Sequence, residues 1–486
     1  MYVSDDKSIR KNAIYNVIKT GVSIIFPLIT FPYAIKTLSS DSYGIYTFSQ
    51  SIIGYITLLA GLGISNYARR EGARVREDSR EIQEFSNEVF TINVISTFLS
   101  FVVLILLTLF WRKLDTYRVV IYILSLSVLF TTLGADWINI IHEDYGYITK
   151  RTIASHIFSL ILMFIIVKKP VDVIPYAFVS VSGTVVANVL NYLYIRKHIG
   201  IKLKFVINKR IVRHLRPILV LFMTAIVSVI YINSDVTILG VFKSDTDVAV
   251  YGAASKIYSI IKQMINSIAA VTIPRISLYV KKGKTNDIKD IISETLETVM
   301  VLIVPIAAGL AFLSKPIIML LSEKYQEAII PLIILSVSLI FSAMGNIFVN
   351  TILITHRKEN QAFVILALSA LINIVLNFVL IPRYSYVATA FTTLLSELIV
   401  MILSILLSRK VLKLSIKRQV FIAVIGGLIA AILCLVFRLI NNNLICILGS
   451  VISTVIVYLL FLCIYKNNVV FKVYLPKIIN RFKKRG

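Results

Sequence analysis

The chain has 486 residues, 57% of them hydrophobic, and a formal net charge of +26. No soluble protein of this length could cover so apolar a composition with polar surface. The basic excess suggests nucleic acid at first, but its distribution excludes that reading, because it alternates from one connection to the next.

Stretches of about 20 apolar residues, long enough to cross hydrocarbon as a helix, recur from end to end. In chain order they are 13–35, 44–66, 88–110, 119–141, 152–167, 174–195, 217–241, 248–274, 295–314, 328–355, 362–381, 385–408, 419–437 and 444–465. The expected fold class is therefore an all-α integral membrane protein of about fourteen transmembrane helices. The longest connections, 67–87 and 196–216, are too short for a globular domain. No GxxxxGK phosphate loop is present, so an ATP-driven pump on this chain is not expected. The polar start (Ser4, Asp5, Asp6, Lys7) runs straight into a full-length span without a small-residue cleavage site. No removable signal peptide is expected.

With the N-terminus placed in the cytoplasm, connections on that side carry 37 Lys and Arg, and those opposite carry 11. This asymmetry over short loops predicts that both termini are cytoplasmic. The basic segments 196–217 and 466–486 are expected at anionic headgroups. Three lysines remain inside spans: Lys19, Lys256 and Lys262.

Span 1 carries Asn12, Asn16, Lys19, Ser23 and Thr30 on one helical face, and span 2 carries Gln50, Gly54, Thr57 and Gly61. Span 7 carries Thr224, Ser228, Tyr231 and Asp235, and span 8 carries Ser255, Ser259, Lys262 and Asn266, both at steps of 4, 3 and 4. The small stripe of span 2 reads as helix packing. The charged stripes of spans 1, 7 and 8 read as a hydrated cavity lining.

Depth separates the lysines. Lys262 lies ~18–21 Å from either end of its span, Lys256 ~12 Å from the outer end and Lys19 ~10 Å from the cytoplasmic end. A lysine stem reaches roughly 6 Å, so Lys262 is too deep to snorkel, whereas Lys19 could escape to the interface. A charge at mid-membrane costs roughly 2.5–3.5 kcal/mol even on mild insertion scales, so Lys19, Lys256 and Lys262 are read as cationic contacts for an anionic cargo, with an internal ion pair as the alternative for each. Asp136, Asp235 and Glu397 are the anionic counterparts, read equally as ion pairs or as sites of H⁺ or Na⁺ coupling. His156 lacks a partner ligand at metal spacing, and Cys434, Cys446 and Cys463 lack metal or disulfide spacing. No catalytic constellation, metal site or cofactor is expected, and the chain is read as a non-enzyme.

An internal repeat is visible. Gly44-Ile45-Tyr46 opens span 2 after Ser40-Asp41-Ser42, and Ala249-Val250-Tyr251 opens span 8 after Ser244-Asp245-Thr246. Six spans separate them, an even number, so the repeat is parallel. It predicts an N-terminal lobe at 1–198 (spans 1–6), a pseudo-symmetric C-terminal lobe at 199–410 (spans 7–12), and spans 13–14 with a basic tail at 411–486. A cavity between lobes would follow from such an arrangement.

Pro27-Leu28-Ile29-Thr30-Phe31-Pro32-Tyr33, followed by Leu38 and Tyr43-Gly44-Ile45-Tyr46, resembles the first helical hairpin of oligosaccharide-repeat (O-antigen or capsule type) flippases. These belong to the multidrug/oligosaccharidyl-lipid/polysaccharide exporter (MOP) superfamily. The loop with Arg69-Arg70-Glu71 and Arg76-Glu77-Asp78, and the junction Ile381-Pro382-Arg383-Tyr384 through Ser396-Glu397, resemble the same family, except that Ser385 and Tyr386 stand where glycine is common. The resemblance implies alternating-access flipping of an undecaprenyl-pyrophosphate-linked oligosaccharide across the bacterial cytoplasmic membrane for surface polysaccharide. It implies cationic contacts on spans 1 and 8, comparable to Lys19 and Lys256. It also implies company with membrane lipids, a polysaccharide polymerase and glycosyltransferases, and no nucleic acid. The alternatives are a multidrug/cation antiporter or a lipid II flippase of the superfamily, or a non-transporting scaffold of glycan synthesis.

Overall fold

In the computed structural model, residues 6–412, 417–465 and 468 are described, and they form helices joined by short connections. The polar start at Ser4 and Asp5 and nearly all of the basic tail 466–486 lie outside the described residues. Twelve of the helices among the described residues are long and apolar enough to cross a membrane. The chain divides into two compact units, residues 1–249 and 250–486.

The first unit contains α1 (Asp6–Thr37), α2 (Ser40–Gly61), α3 (Ile64–Val75), α4 (Ser79–Phe110), α5 (Arg118–Gly134), α6 (Trp137–Ile141), α7 (Tyr145–Ile166), α8 (Val173–Tyr194) and α9 (Val212–Phe242). α2 packs against α4, α5 and α9; α1 lies on α7; α8 lies on α5 and α7. α9 packs on α2 and α3 within this unit.

Close approach explains two glycines of α2, of which Gly54 belongs to its small-residue stripe. A side chain on Gly44 would run into the Asp245 carbonyl, and one on Gly54 would meet the Asn233 amide of α9. Polar side chains bond between the helices. The Thr97 and Thr132 hydroxyls meet at 2.7 Å between α4 and α5, and the Asn191 amide of α8 donates to the Gly134 carbonyl at 2.6 Å. Each such bond in lipid is worth about 0.6 kcal/mol.

Short α3 is amphipathic. Ile64, Tyr67, Ala68 and Gly72 are buried, at a spacing that marks one helical face. Tyr67 joins Phe85 of α4, Trp137 and Ile141 of α6 and Ile218 of α9 in one apolar cluster, with the α3 arginines left outside it. Asp78 starts α4 by accepting from the Glu81 and Arg80 backbone N–H groups, and these bonds hold its carboxyl below the usual carboxylate range.

The second unit takes in most of α10 (Asp245–Ala270), then α11 (Ile273–Lys281), α12 (Thr285–Phe312), α13 (Ser314–Leu321), α14 (Ile329–Asn346), α15 (Glu359–Ser408), α16 (Lys417–Phe437) and α17 (Asn443–Ile464). α12 packs on α14 and α16, α14 on α15, and α16 on α17. α15 has 50 residues, a rise of ~75 Å against a hydrocarbon core of ~30 Å. It is broken at Ser385 (φ 47°, ψ −133°).

Bonds across that break show a hairpin. The Ser369 hydroxyl donates to the Ser396 carbonyl at 2.9 Å, and the Thr392 hydroxyl to Asn377 Oδ1 at 2.6 Å. The pairs close symmetrically around Ser385, so the two halves run antiparallel, as the separate spans 362–381 and 385–408 anticipate.

Large apolar side chains elsewhere point outward, among them Phe98, Phe110, Ile232 and Leu460, as a lipid-facing surface requires. Cys434 and Cys446 are buried and Cys463 is exposed, all three as free thiols.

Candidate functional site

α10 carries the charge that the sequence placed deepest in the membrane. Helical twist puts Lys256 and Lys262 about 120° apart around this helix, and their surroundings differ accordingly. Lys262 Nζ lies 2.6 Å from Glu397 Oε1 on the second half of α15 and 3.3 Å from the Tyr258 hydroxyl. The Tyr258 hydroxyl also donates to Glu397 Oε1 at 3.2 Å. The ammonium sits 5.4 Å from the Tyr258 ring centre, within cation–π range. Lys262 is 29% exposed and Glu397 5%. Two turns before Tyr258, the Tyr251 and Thr393 hydroxyls meet at 3.3 Å, tying α10 to α15 again.

Of the two outcomes weighed for Lys262 and Glu397, the structure therefore presents the ion pair. Lys256 is exposed and has no ion pair among the described residues. The hydroxyls of Ser255 and Ser259 donate back to the Gly252 and Lys256 carbonyls of their own helix, at 3.2 and 2.9 Å. Asn266 is half-buried, a turn beyond Lys262.

In the first unit, Lys19 and Ser23 are half-buried on α1, and Asn16 is exposed. Lys19, like Lys256, has no ion pair among the described residues. On α9, Thr224 and Ser228 are exposed, Tyr231 is half-buried and Asp235 is buried. The Thr224 hydroxyl donates to the Leu221 carbonyl at 2.7 Å. More than three turns further along α9, Thr237 donates to Ser51 Oγ at 3.0 Å and to Tyr55 Oη at 3.3 Å, which fixes α9 on α2. Asp136 pairs with Arg151 of α7, a buried arginine that also lies 5.5 Å from the Tyr147 ring centre. The His156 ring stacks on Phe26 at 4.3 Å.

Sequence reasoning overlooked two polar assemblies in the first unit. Arg151 stands, by sequence, in the short connection between spans 119–141 and 152–167, where it adds only to the count of basic residues. Glu88, on the first turns of α4, is buried and lies 2.7 Å from His214 Nε2, and it accepts from Arg213 at 2.8 Å and from Asn208 at 3.1 Å. The Tyr67 hydroxyl meets His214 Nδ1 at 2.5 Å. Together these groups lock α3, α4 and α9. An acid at the very start of an apolar stretch was the available signal.

These features define a polytopic helical membrane protein with buried charge pairs and no described cluster of His, Cys, Asp or Glu able to hold a metal. The family described as polysaccharide biosynthesis protein matches residues 9–280, and the chain belongs to it. The resemblance drawn from the hairpin and loop motifs is thereby borne out at the level of the family.

Two curated relatives are a putative O-antigen transporter of Escherichia coli (strain K12) and one of Shigella dysenteriae. The first is 24% identical over 83% of this chain and 97% of that protein, the second 22% identical over 81% and 98%. Among solved structures, the lipid II flippase MurJ in an inward closed conformation matches with TM-score 0.78 at 19% identity, covering 93% of this chain and 99% of that one. An inward-facing multidrug resistance MATE family transporter of the MOP superfamily matches with TM-score 0.59 at 14% identity, covering 80% and 97%. The fold is thus of the MurJ and MATE type. These likenesses leave the count of fourteen spans and the two six-helix lobes as expectations.

Proposed function

We propose that the chain flips an undecaprenyl-pyrophosphate-linked oligosaccharide across the cytoplasmic membrane by alternating access, for surface polysaccharide synthesis. Family membership and the O-antigen transporter relatives support this reading. The structural observation that carries it is Lys256, an exposed cation without a carboxylate partner on a helix otherwise rich in apolar and hydroxyl side chains. Lys256 and Lys19 are the proposed pyrophosphate contacts. Lys262, neutralised by Glu397, is proposed to organise α10. Asn16, Ser23, Thr224, Ser228, Tyr231, Ser255, Ser259 and Asn266 are the proposed partners of sugar hydroxyls.

Both termini are proposed to be cytoplasmic, with lobes at 1–198 and 199–410 and the last two spans within 411–486. An inside-negative potential then assists an outgoing anion by ~2.3 kcal/mol per charge per 100 mV. Of the acids, Asp136 and Glu397 hold cations of the protein. H⁺ or Na⁺ coupling through Asp235 or Glu397 is a separate proposal. A polymerase and glycosyltransferases are the proposed functional neighbours. A multidrug/cation antiporter is the less favoured reading, because an exposed lysine repels cationic cargo.

The test is surface glycan in cells whose own flippase gene is deleted. Lys256→Ala should abolish export and leave lipid-linked glycan on the inner leaflet, and Lys256→Arg should retain part of it. Full export by a normally abundant Lys19→Ala, Lys256→Ala double variant would refute the assignment.

A further inference from the structure

One end of the first unit holds a polar cavity of about 450 Å³, lined by α1, α3 and its C-terminal cap, α6 and the start of α7. Asn12 and Asn16 enter it from α1, Arg69 from α3, Arg76 from the cap, Glu143 from the turn after α6 and Tyr145 from the start of α7.

Its walls are held in place. Arg76 Nη1 donates to the Ile141 carbonyl at 3.2 Å and to Glu143 Oε1 at 2.7 Å. Glu143 itself adopts a left-handed backbone (φ 56°), an uncommon state for a residue with a side chain, and it aims this carboxylate back at α3. α1 is anchored by the Thr149 hydroxyl, which donates to the Tyr15 carbonyl at 2.9 Å between the two asparagines.

The groups facing the space have unused capacity. Asn12 and Asn16 lie one helical turn apart, and neither amide has a hydrogen-bond partner among the described residues. Arg69 bonds only to the neutral Asn66 amide oxygen and has no carboxylate partner among the described residues. Glu143 already offsets Arg76, so the cavity keeps one net positive charge beside two amides and a tyrosine ring.

A guanidinium reads anionic oxygens by paired N–H groups, and amides and a carboxylate read hydroxyls. We propose that this cavity is a binding site for a phosphorylated polyol, either a glycosyl phosphate or the headgroup of an anionic phospholipid. The site stands independently of whether the chain flips a lipid-linked glycan.

Thermal-shift titration of the full-length protein in nanodiscs tests it. In phosphatidylcholine discs, glucose 1-phosphate should stabilise the protein saturably and glucose should not. Arg69→Ala should weaken the response about tenfold or more, the loss expected for a hydrogen bond to a charged group, and Asn12→Ala about two- to tenfold, the loss expected for a neutral one. Arg70→Ala, which lies outside the cavity, should leave it unchanged. In a second arm without sugar phosphate, discs of phosphatidylcholine mixed with phosphatidylglycerol are compared with phosphatidylcholine alone. Stabilisation that depends on Arg69 in this arm assigns the site to lipid headgroups. Stabilisation only in the first arm assigns it to glycosyl phosphates. Responses in both arms that are identical in wild type, Arg69→Ala and Asn12→Ala overturn the proposal.

Discussion

Replacing Lys262 by methionine keeps the length of the side chain and removes its charge. Glu397, only 5% exposed, would then lose its ammonium partner at 2.6 Å and keep, among the described residues, the Tyr258 hydroxyl. The gross attraction at that separation is about 6 kcal/mol with an effective dielectric near 20, most of it offset by desolvation. Breaking a buried pair from one side typically costs about 3–5 kcal/mol. Because Lys262 is 29% exposed, solvent screening shifts the expected loss below that range, to about 2–4 kcal/mol. Glu397→Gln alone strands the ammonium and should cost a similar amount. The double variant strands neither charge and should be more stable than the sum of the two losses implies, by about 1–3 kcal/mol. Unfolding of the purified protein in mixed micelles, titrated with sodium dodecyl sulfate and followed by circular dichroism, measures all four corners of the cycle. Strict additivity would refute the pair as an energetic unit. Glycan export by the same set reads a different property. A stable double variant that still exports would confine Lys262 to architecture.

Ser385 at φ 47°, ψ −133° occupies backbone space that favours glycine. Ser385→Gly should therefore stabilise the α15 hairpin by about 1 kcal/mol after the entropy of the freer unfolded chain is deducted, and a lower unfolding midpoint would contradict this. Gly44→Val forces a side chain against the Asp245 carbonyl and should lower stability by about 1–3 kcal/mol. Gly21→Ala, with nothing within 4 Å of the added carbon, should be close to neutral in the same assay. Asp136→Asn removes the only carboxylate paired with buried Arg151 among the described residues and should cost about 1–3 kcal/mol, discounted for the 39% exposure of Asp136. Retained stability there would show that the Tyr147 face suffices.

The fold class was legible because every span must hide its own backbone from lipid, and that demand is written locally, as 20 apolar residues at a time. Lys262 was legible as a deep charge for the same reason. Its partner was not, since Glu397 lies 135 positions away and helical periodicity carries no information at that distance. α10 shows the limit from the other side: with two lysines and two acids it falls outside the helices that are apolar enough to cross. The similarity of the segments around Asp41 and Asp245 could be read directly. That they touch, with Thr246 bonded to Asp41 and Gly44 seated on Asp245, is a tertiary fact. Arg151 and the Glu88–His214 assembly were missed because each is built across helices, and a connection counted for its net charge hides which of its residues turn inward. The serine at 385 was visible as a departure from the family pattern, but only the backbone angles explain what it disturbs.

The polar seam of the α15 hairpin also bears on how the chain is made. Asn377 Nδ2 reaches Asn373 Oδ1 at 3.1 Å on the first half, while Asn377 Oδ1 waits for Thr392 on the second. During synthesis the first half emerges before Thr392 exists. A lone helix bearing two asparagines would have to leave the translocon with amides exposed to acyl chains, which is costly. The cheaper route is for the first half to pause at the channel until about fifteen further residues have been added, and for both strands of the hairpin to partition into lipid together.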